Sequence, residues 1–150
     1  MTWARRWFEA ALRHHRAYEA LKERTERMRA ALELGAQQYD MVPGGGSENG
    51  LDALIVLSDE LEAAKAEHMR MLDAANVILW GEDGRGGVGK ALGESPAYAV
   101  HLRYLEGLST REIADTLDCS AAWVTVLCEK AFRWLDENTP EREGLDHKAQ

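Results

Sequence analysis

Apolar side chains recur every three or four residues along two long stretches of the chain, residues 3–34 and 51–80. This spacing places one side chain per turn on a single face of an α-helix. We call this apolar line the seam. Its members in the first stretch are Trp7, Ala11, His14, Tyr18, Leu21, Thr25, Met28 and Leu32. In the second stretch they are Leu54, Leu57, Leu61, Ala64, His68, Met71, Ala75 and Ile78.

Glycine and proline interrupt this pattern and divide the chain into segments. Residues 35–50 are predicted to be a loop, so residues 1–80 should form an antiparallel, coiled-coil-like helical hairpin. The polar seam residues leave one hairpin with a weak apolar face, which favours dimerisation through the hairpin. A glycine-rich linker is predicted over 81–95, a helical domain over 96–137 and a flexible tail over 138–150. Alternating β-branched residues are missing, so the predicted fold is all-α.

The block over 96–137 contains the start and stop signals of three short helices. Ser95 and Pro96 fit the N-cap and first position of a helix that ends at Gly107. Ser109 and Glu112 are spaced as a capping box for a second helix, which should end near Leu117. Asp118 suits a tight turn because it tolerates the left-handed conformation, and Ser120 should cap a third helix running to about residue 137.

The apolar residues of this block occupy the positions that a helix-turn-helix buries. They are Ile113, Ala114, Leu117, Cys119, Val124, Leu127, Ala131 and Leu135. Such an arrangement presents the third helix to the major groove of DNA. A generic three-helix bundle would show a similar pattern and remains the alternative interpretation.

The same stretch resembles region four of bacterial sigma factors, the domain that recognises an upstream promoter element. The resemblance covers residues 102–135, which read LRYLEGLSTREIADTLDCSAAWVTVLCEKAFRWL. Its motifs are Leu102-Arg103-Tyr104, Glu106-Gly107-Leu108-Ser109, Glu112-Ile113-Ala114, Leu117, Ser120, Val124 and Ala131. In its architecture the chain also resembles small phage and prophage regulators with a helical hairpin before such a domain. The resemblance implies a DNA-binding transcription regulator.

The first turns of the third helix should then face the base edges of double-stranded DNA. The base-facing candidates are Ser120, Ala121, Ala122, Thr125, Val126 and Glu129. None of them is an Arg, Lys, Asn or Gln, the side chains that make bidentate contacts to bases. The candidates for phosphate contacts are Arg111, Lys130 and Arg133.

The charge pattern leaves a second function open. The chain has 150 residues and a net charge of -8, and residues 96–137 contain four basic and seven acidic side chains. Residues 1–39 are basic, with eight basic and five acidic side chains. An acidic domain binds DNA weakly by itself. Trp123, Val126 and Cys128, expected on its surface, favour docking on a protein such as RNA polymerase.

Other functions find little support in the sequence. Residues 84–90, GRGGVGK, match the start of a phosphate-binding loop, but Ala91 replaces the metal-binding hydroxyl and no strand is predicted before it. His14, His15 and His68 lack the spacing of metal ligands. We therefore expect no enzyme activity, cofactor, metal or small-molecule substrate. The N-terminus lacks a signal segment, and no apolar run reaches the ~18 residues of a membrane span. The expected location is the cytoplasm.

Overall fold

A computed structural model describes residues 3–39 and 47–142 of the chain, with side chains omitted for 36–39 and 47–49. All regular structure in these ranges is helical, which confirms the predicted all-α class. The elements are α1 (Trp3–Tyr39), α2 (Ser47–Trp80), α3 (Gly87–Leu92), α4 (Glu94–Val100), a π-helical turn (His101–Leu105), α5 (Thr110–Leu117) and α6 (Ala121–Asn138). The prediction of a loop over 35–50 is wrong at both ends, because residues 35–39 continue α1 and residues 47–50 begin α2, while 40–46 lie outside the described residues. Most of the predicted tail at 138–150 also lies outside them.

The chain divides into two compact units whose boundaries fall inside the two long helices. Unit 1 takes the chain up to Arg16 and again from Met69 onward, and unit 2 is Ala17–His68. The sequence had suggested a boundary near residue 80, where the second apolar stretch ends. The difference arises because residues 3–16 and 69–80 share their hydrophobic core with the C-terminal helices.

The core of unit 1 is built around the aromatic ring of Phe8. This ring lies 4.9 Å from Trp7, 5.7 Å from Phe132 and 6.2 Å from Tyr104, measured between ring centroids. Rings at these separations add attraction to the burial of their apolar area. The first turns of α1 therefore pack against α6 and the π-helical turn.

The glycine-rich segment is organised by close contact with the end of α2. A Cβ atom on Gly87 would lie 2.7 Å from the Leu79 backbone, and one on Gly89 would lie 2.4 Å from the Trp80 ring. Gly87 also has a φ of +62°, a conformation that favours glycine. Between them, Val88 is fully buried. The linker predicted over 81–95 contains helix α3, which the prediction did not include. Gly87 and Gly89 allow this segment to pack closely against the end of α2.

The helix that follows begins two residues earlier than predicted. Gly93 is its N-cap, so the prediction of Ser95 as the N-cap is wrong. Pro96 lies in the first turn, where a missing N–H breaks no helical hydrogen bond. The chain then widens into the π-helical turn, where the Glu106 N–H donates to the His101 carbonyl at 3.2 Å. Gly107 ends this segment with a φ of +71°, as its position predicted.

Unit 2 is held by contacts between α1 and α2. The Tyr18 ring stacks on His68 with centroids 4.5 Å apart. Thr25 is fully buried, and its hydroxyl donates to the Leu21 carbonyl at 2.8 Å. All the seam positions predicted in both long helices are buried or half-buried, which agrees with the predicted helical phase. The role of the seam in dimerisation stays a prediction.

Candidate functional site

The junction between α5 and α6 is fixed by local hydrogen bonds. The Ser109 hydroxyl accepts from the Glu112 N–H at 3.1 Å, and the Glu112 carboxylate accepts from the Ser109 N–H at 3.2 Å. This is the predicted capping box. Asp118 takes the left-handed conformation with a φ of 55°, and the Ser120 hydroxyl accepts from the Trp123 N–H at 3.1 Å. Both features were predicted, and together they set where α6 begins.

The inner face of α6 packs into the core of unit 1. Val124 and Leu127 are buried, as are Ile113 and Ala114 on α5. Ala131 and Leu135 continue the same face. The predicted burial of these six residues is confirmed. Leu117 and Cys119, also predicted inside, are half-buried and pack against the core.

The opposite face of α6 is uncovered. All six base-facing candidates are exposed, namely Ser120, Ala121, Ala122, Thr125, Val126 and Glu129. The phosphate candidates Arg111, Lys130 and Arg133 are exposed as well. Lys130 and Arg133 continue the outward face of α6, whereas Arg111 belongs to α5. Apart from Trp123, the exposed side chains in the first two turns of α6 are therefore small and uncharged, with cations at the margins of this surface.

Glu129 differs from the other base-facing candidates because it has a cationic partner. The Arg5 guanidinium lies 3.7 Å from the Glu129 carboxylate and 5.6 Å from the centroid of the Phe132 ring. An exposed pair of this kind contributes little to stability. It does place a positive charge beside the one acidic side chain in the candidate set.

The first turn of α1 is tied to α6 by further contacts. The Ala4 N–H donates to the Asp136 carboxylate at 3.1 Å, so a side chain of α6 caps the start of α1. Arg6 pairs with Glu141 at 3.1 Å. Sequence reasoning did not find these contacts. The signal was present, since a basic first segment accompanies an acidic C-terminal block.

Arg5 and Arg133 line the same open groove, which has a volume of about 390 Å³. Its other lining residues are Glu129, Phe132, Asp136 and Glu137. The groove mixes both signs of charge over an aromatic floor. It brings a cation from α1 next to a predicted phosphate contact on α6.

Lys130 is engaged with an aromatic ring on the other flank of α6. Its ammonium nitrogen lies 4.8 Å from the centroid of the Trp123 ring, a cation–π distance. The Trp123 side chain is still 43% exposed. The two residues thus form one amphipathic patch beside the outward face.

The structure corrects the expectation that Cys128 is exposed. The residue is buried in the core of unit 1, at 2% exposure. Burial raises the pKa of its thiol from 9.0 to about 11, so the group is neutral at physiological pH. The apolar surface that favours a protein partner is therefore formed by Trp123 and Val126.

His14, His15 and His68, the histidines considered as metal ligands, lie in the two long helices. His14, His15 and His68 are half-buried, and His68 stacks on Tyr18. Among the residues that the structure describes, no group of three His, Cys, Asp or Glu side chains is arranged to hold a metal ion. Within the same ranges, no helix has the length and apolar character needed to cross a membrane.

Comparison with known proteins gave no match. No protein-family model, curated protein sequence or solved structure shows significant similarity to this chain. The functional interpretation therefore depends on the geometry of α5 and α6 and on the residues that they expose.

Proposed function

We propose that this protein is a sequence-specific, DNA-binding transcription regulator of the kind found in phages and prophages. In this proposal α5 and α6 form a helix-turn-helix similar to region four of bacterial sigma factors. Helices α1 and α2 form a hairpin that joins two copies, and the hairpin sets the spacing of two DNA half-sites.

The observation that carries this proposal is the division of α6 into two faces. One face is buried against α5, with Ile113 and Val124 fully enclosed. The other is uncovered from Ser120 onward. A short capped helix, a left-handed turn at Asp118 and a longer helix with a free N-terminal face are what major-groove insertion requires.

The acidic balance of the domain limits the affinity that a single copy reaches. Neutralisation of phosphates by Lys and Arg supplies most non-specific affinity for DNA. One copy offers Arg111, Lys130 and Arg133 for this purpose, and Arg5 offsets the charge of Glu129. Two copies double these contacts, so the proposed dimer and the proposed DNA binding support each other.

Capture of randomly fragmented genomic DNA from the source tests the proposal. The full chain is used at ~150 mM salt, a level that weakens non-specific phosphate contacts. We expect enrichment of one or a few loci, with two half-sites at a fixed spacing. The control is Arg111→Glu/Arg133→Glu, whose exchanges lie at exposed positions and should leave the fold intact. Equal, featureless recovery by both proteins would reject autonomous DNA binding.

A second candidate function is docking on a protein partner such as RNA polymerase. The observation in its favour is the exposed apolar area of Trp123 and Val126, at 43% and 36% exposure. Apolar docking is nearly insensitive to salt, whereas DNA binding weakens steeply as salt rises. Partner binding that survives high salt, without DNA enrichment, would favour this second function.

A further inference from the structure

We infer that the outward face of α6 recognises thymine methyl groups, so that its preferred ligand is a major groove with thymines at the contacted positions. This inference rests on the proposed DNA-binding function. It names the class of sequence that the site reads.

The side chains on this face present methyl groups at positions where many recognition helices present hydrogen-bonding groups. Ala121, Ala122, Thr125 and Val126 all end in methyl groups and all are exposed. The Ser120 hydroxyl already accepts the Trp123 N–H as the helix cap. In the major groove, the C5 methyl of thymine is the feature that marks a base pair for apolar contact.

Glu129 is the one base-facing candidate with a carboxylate, the group that typically accepts from the amino group of cytosine. Its carboxylate is instead paired with Arg5 at 3.7 Å. Because Arg5 also lies over the Phe132 ring, its guanidinium is anchored on the flank of α6. Because the Glu129 carboxylate is engaged by Arg5, the methyl groups are the main groups that this face presents to a base pair.

The first two turns of α6 are uncharged, and charges of both signs lie around them. Residues 119–128 carry no ionisable acid or base other than the Cys119 and Cys128 thiols. Arg111, Lys130 and Arg133 are exposed near this uncharged stretch on α5 and α6. The cations can meet the phosphates on either side of a major groove while the methyl groups meet thymine methyls, and the exposed acids Asp115 and Asp118 oppose this binding.

Uracil substitution tests the inference, because uracil is thymine without the C5 methyl. The full chain is first used to enrich duplexes from a randomised double-stranded DNA library. An enriched duplex is then resynthesised with uracil in place of thymine within the enriched motif. Uracil at thymines outside the motif is the matched control. We expect about fourfold weaker binding for each contacted methyl that is removed, and no change in the control.

A protein variant tests the same contact from the other side. Val126→Ala removes two methyl groups from an exposed helical position and should leave the fold unchanged. We expect it to weaken binding of the thymine duplex severalfold and to reduce the effect of uracil substitution. Leu92→Ala, a truncation at a similarly exposed position of α3 that belongs neither to the hairpin nor to α5 and α6, is the control and should bind as the wild type does.

The outcomes separate this inference from the function on which it rests. Enrichment of a motif that binds equally with uracil would overturn methyl recognition and leave DNA binding in place. Absence of any enriched motif would overturn the proposed function and this inference together. In that case, the affinity of the wild type and of Val126→Ala for RNA polymerase would be compared, and a lower affinity of the variant would assign this face to protein binding.

Discussion

Units 1 and 2 bury their apolar residues to very different degrees. Unit 1 encloses a continuous core in which Phe8, Leu105 and Ile113 are almost completely buried. In unit 2, Thr25 and Leu57 are the buried residues among those that the structure describes. Several large apolar side chains of unit 2 are exposed, namely Leu34, Leu51, Ile55 and Val56.

Two packed helices without further layers bury only a part of their apolar surface. Two helices in contact cover one face of each, and the rest of each surface stays open to solvent. In unit 1, α4, α5 and α6 cover further faces of the two helices, at the start of α1 and the end of α2. Within residues 3–39 and 47–142, unit 2 has no such layers, which is the physical reason for the proposed dimer.

The largest expected difference between the units is the cost of removing a buried leucine. Leu105→Ala in unit 1 should lower the free energy of unfolding by about 3–4 kcal/mol, because the cavity is enclosed on all sides. Leu57→Ala in unit 2 should cost about 2 kcal/mol, because Leu57 is buried at 8% exposure between two helices that can relax into the cavity. Urea unfolding of the full chain measures both values.

The tryptophans allow the two units to be followed separately. All five lie in unit 1, at positions 3, 7, 80, 123 and 134. Tryptophan fluorescence therefore reports on unit 1, while circular dichroism reports on helices in both units. Leu105→Ala should shift the fluorescence transition strongly and Leu57→Ala should shift it little. Equal shifts would contradict the difference in packing.

Alkaline pH should destabilise unit 1 through Cys128. The thiol has a pKa of about 11 in the folded protein against 9.0 for the ordinary group, because burial disfavours its charged form. The unfolded chain therefore loses this proton first as the pH rises. The stabilisation is complete below about pH 9 and is lost toward pH 11, by about 2–3 kcal/mol.

The variant Cys128→Ala isolates this effect. Burial also raises the pKa of Tyr104, so part of the alkaline destabilisation should persist in the variant. The free energy of unfolding of the wild type, minus that of the variant, should fall by about 2–3 kcal/mol as the pH rises from 9 to 11. A difference that stays constant over this range would show that the thiol does not titrate as its burial requires.

The last expected difference, about 1–2 kcal/mol, is between two glycines of unit 1 that both have a positive φ. Gly87→Ala should cost about 2–3 kcal/mol, because its Cβ atom would lie 2.7 Å from the Leu79 backbone and its φ is +62°. Gly84→Ala has a φ of +77° but open space around it, so it should cost about 1 kcal/mol. Equal losses in a thermal unfolding experiment would contradict the close contact of α3 with the end of α2.

The features that the sequence predicted well are those determined by neighbouring residues. The capping box of Ser109, the left-handed Asp118 and the cap by Ser120 each depend on a few consecutive positions. The burial of Ile113, Val124 and Leu127 follows from helical spacing within the same short block. Local hydrogen bonds and periodicity are enough to place these residues.

The features that the sequence did not predict depend on distant contacts. The pairing of Arg5 with Glu129 joins residues far apart in the chain. Helix α3 forms in a glycine-rich segment because Val88 is buried beside α2, which outweighs weak helix propensity. The burial of Cys128 is the exception, because Cys128 lies four residues after Val124 and three before Ala131, so helical spacing already placed it on the buried face of α6.

The central claim is that exposed cations of α5 and α6 bind DNA phosphates in a dimer. Its most direct test is the salt dependence of affinity for the captured DNA, compared between the wild type and Arg111→Ala/Arg133→Ala. Each lost phosphate contact lowers the slope of log affinity against log salt by ~0.9. Two contacts in each of two copies predict a slope lower by about 4, whereas an unchanged slope would contradict the claim.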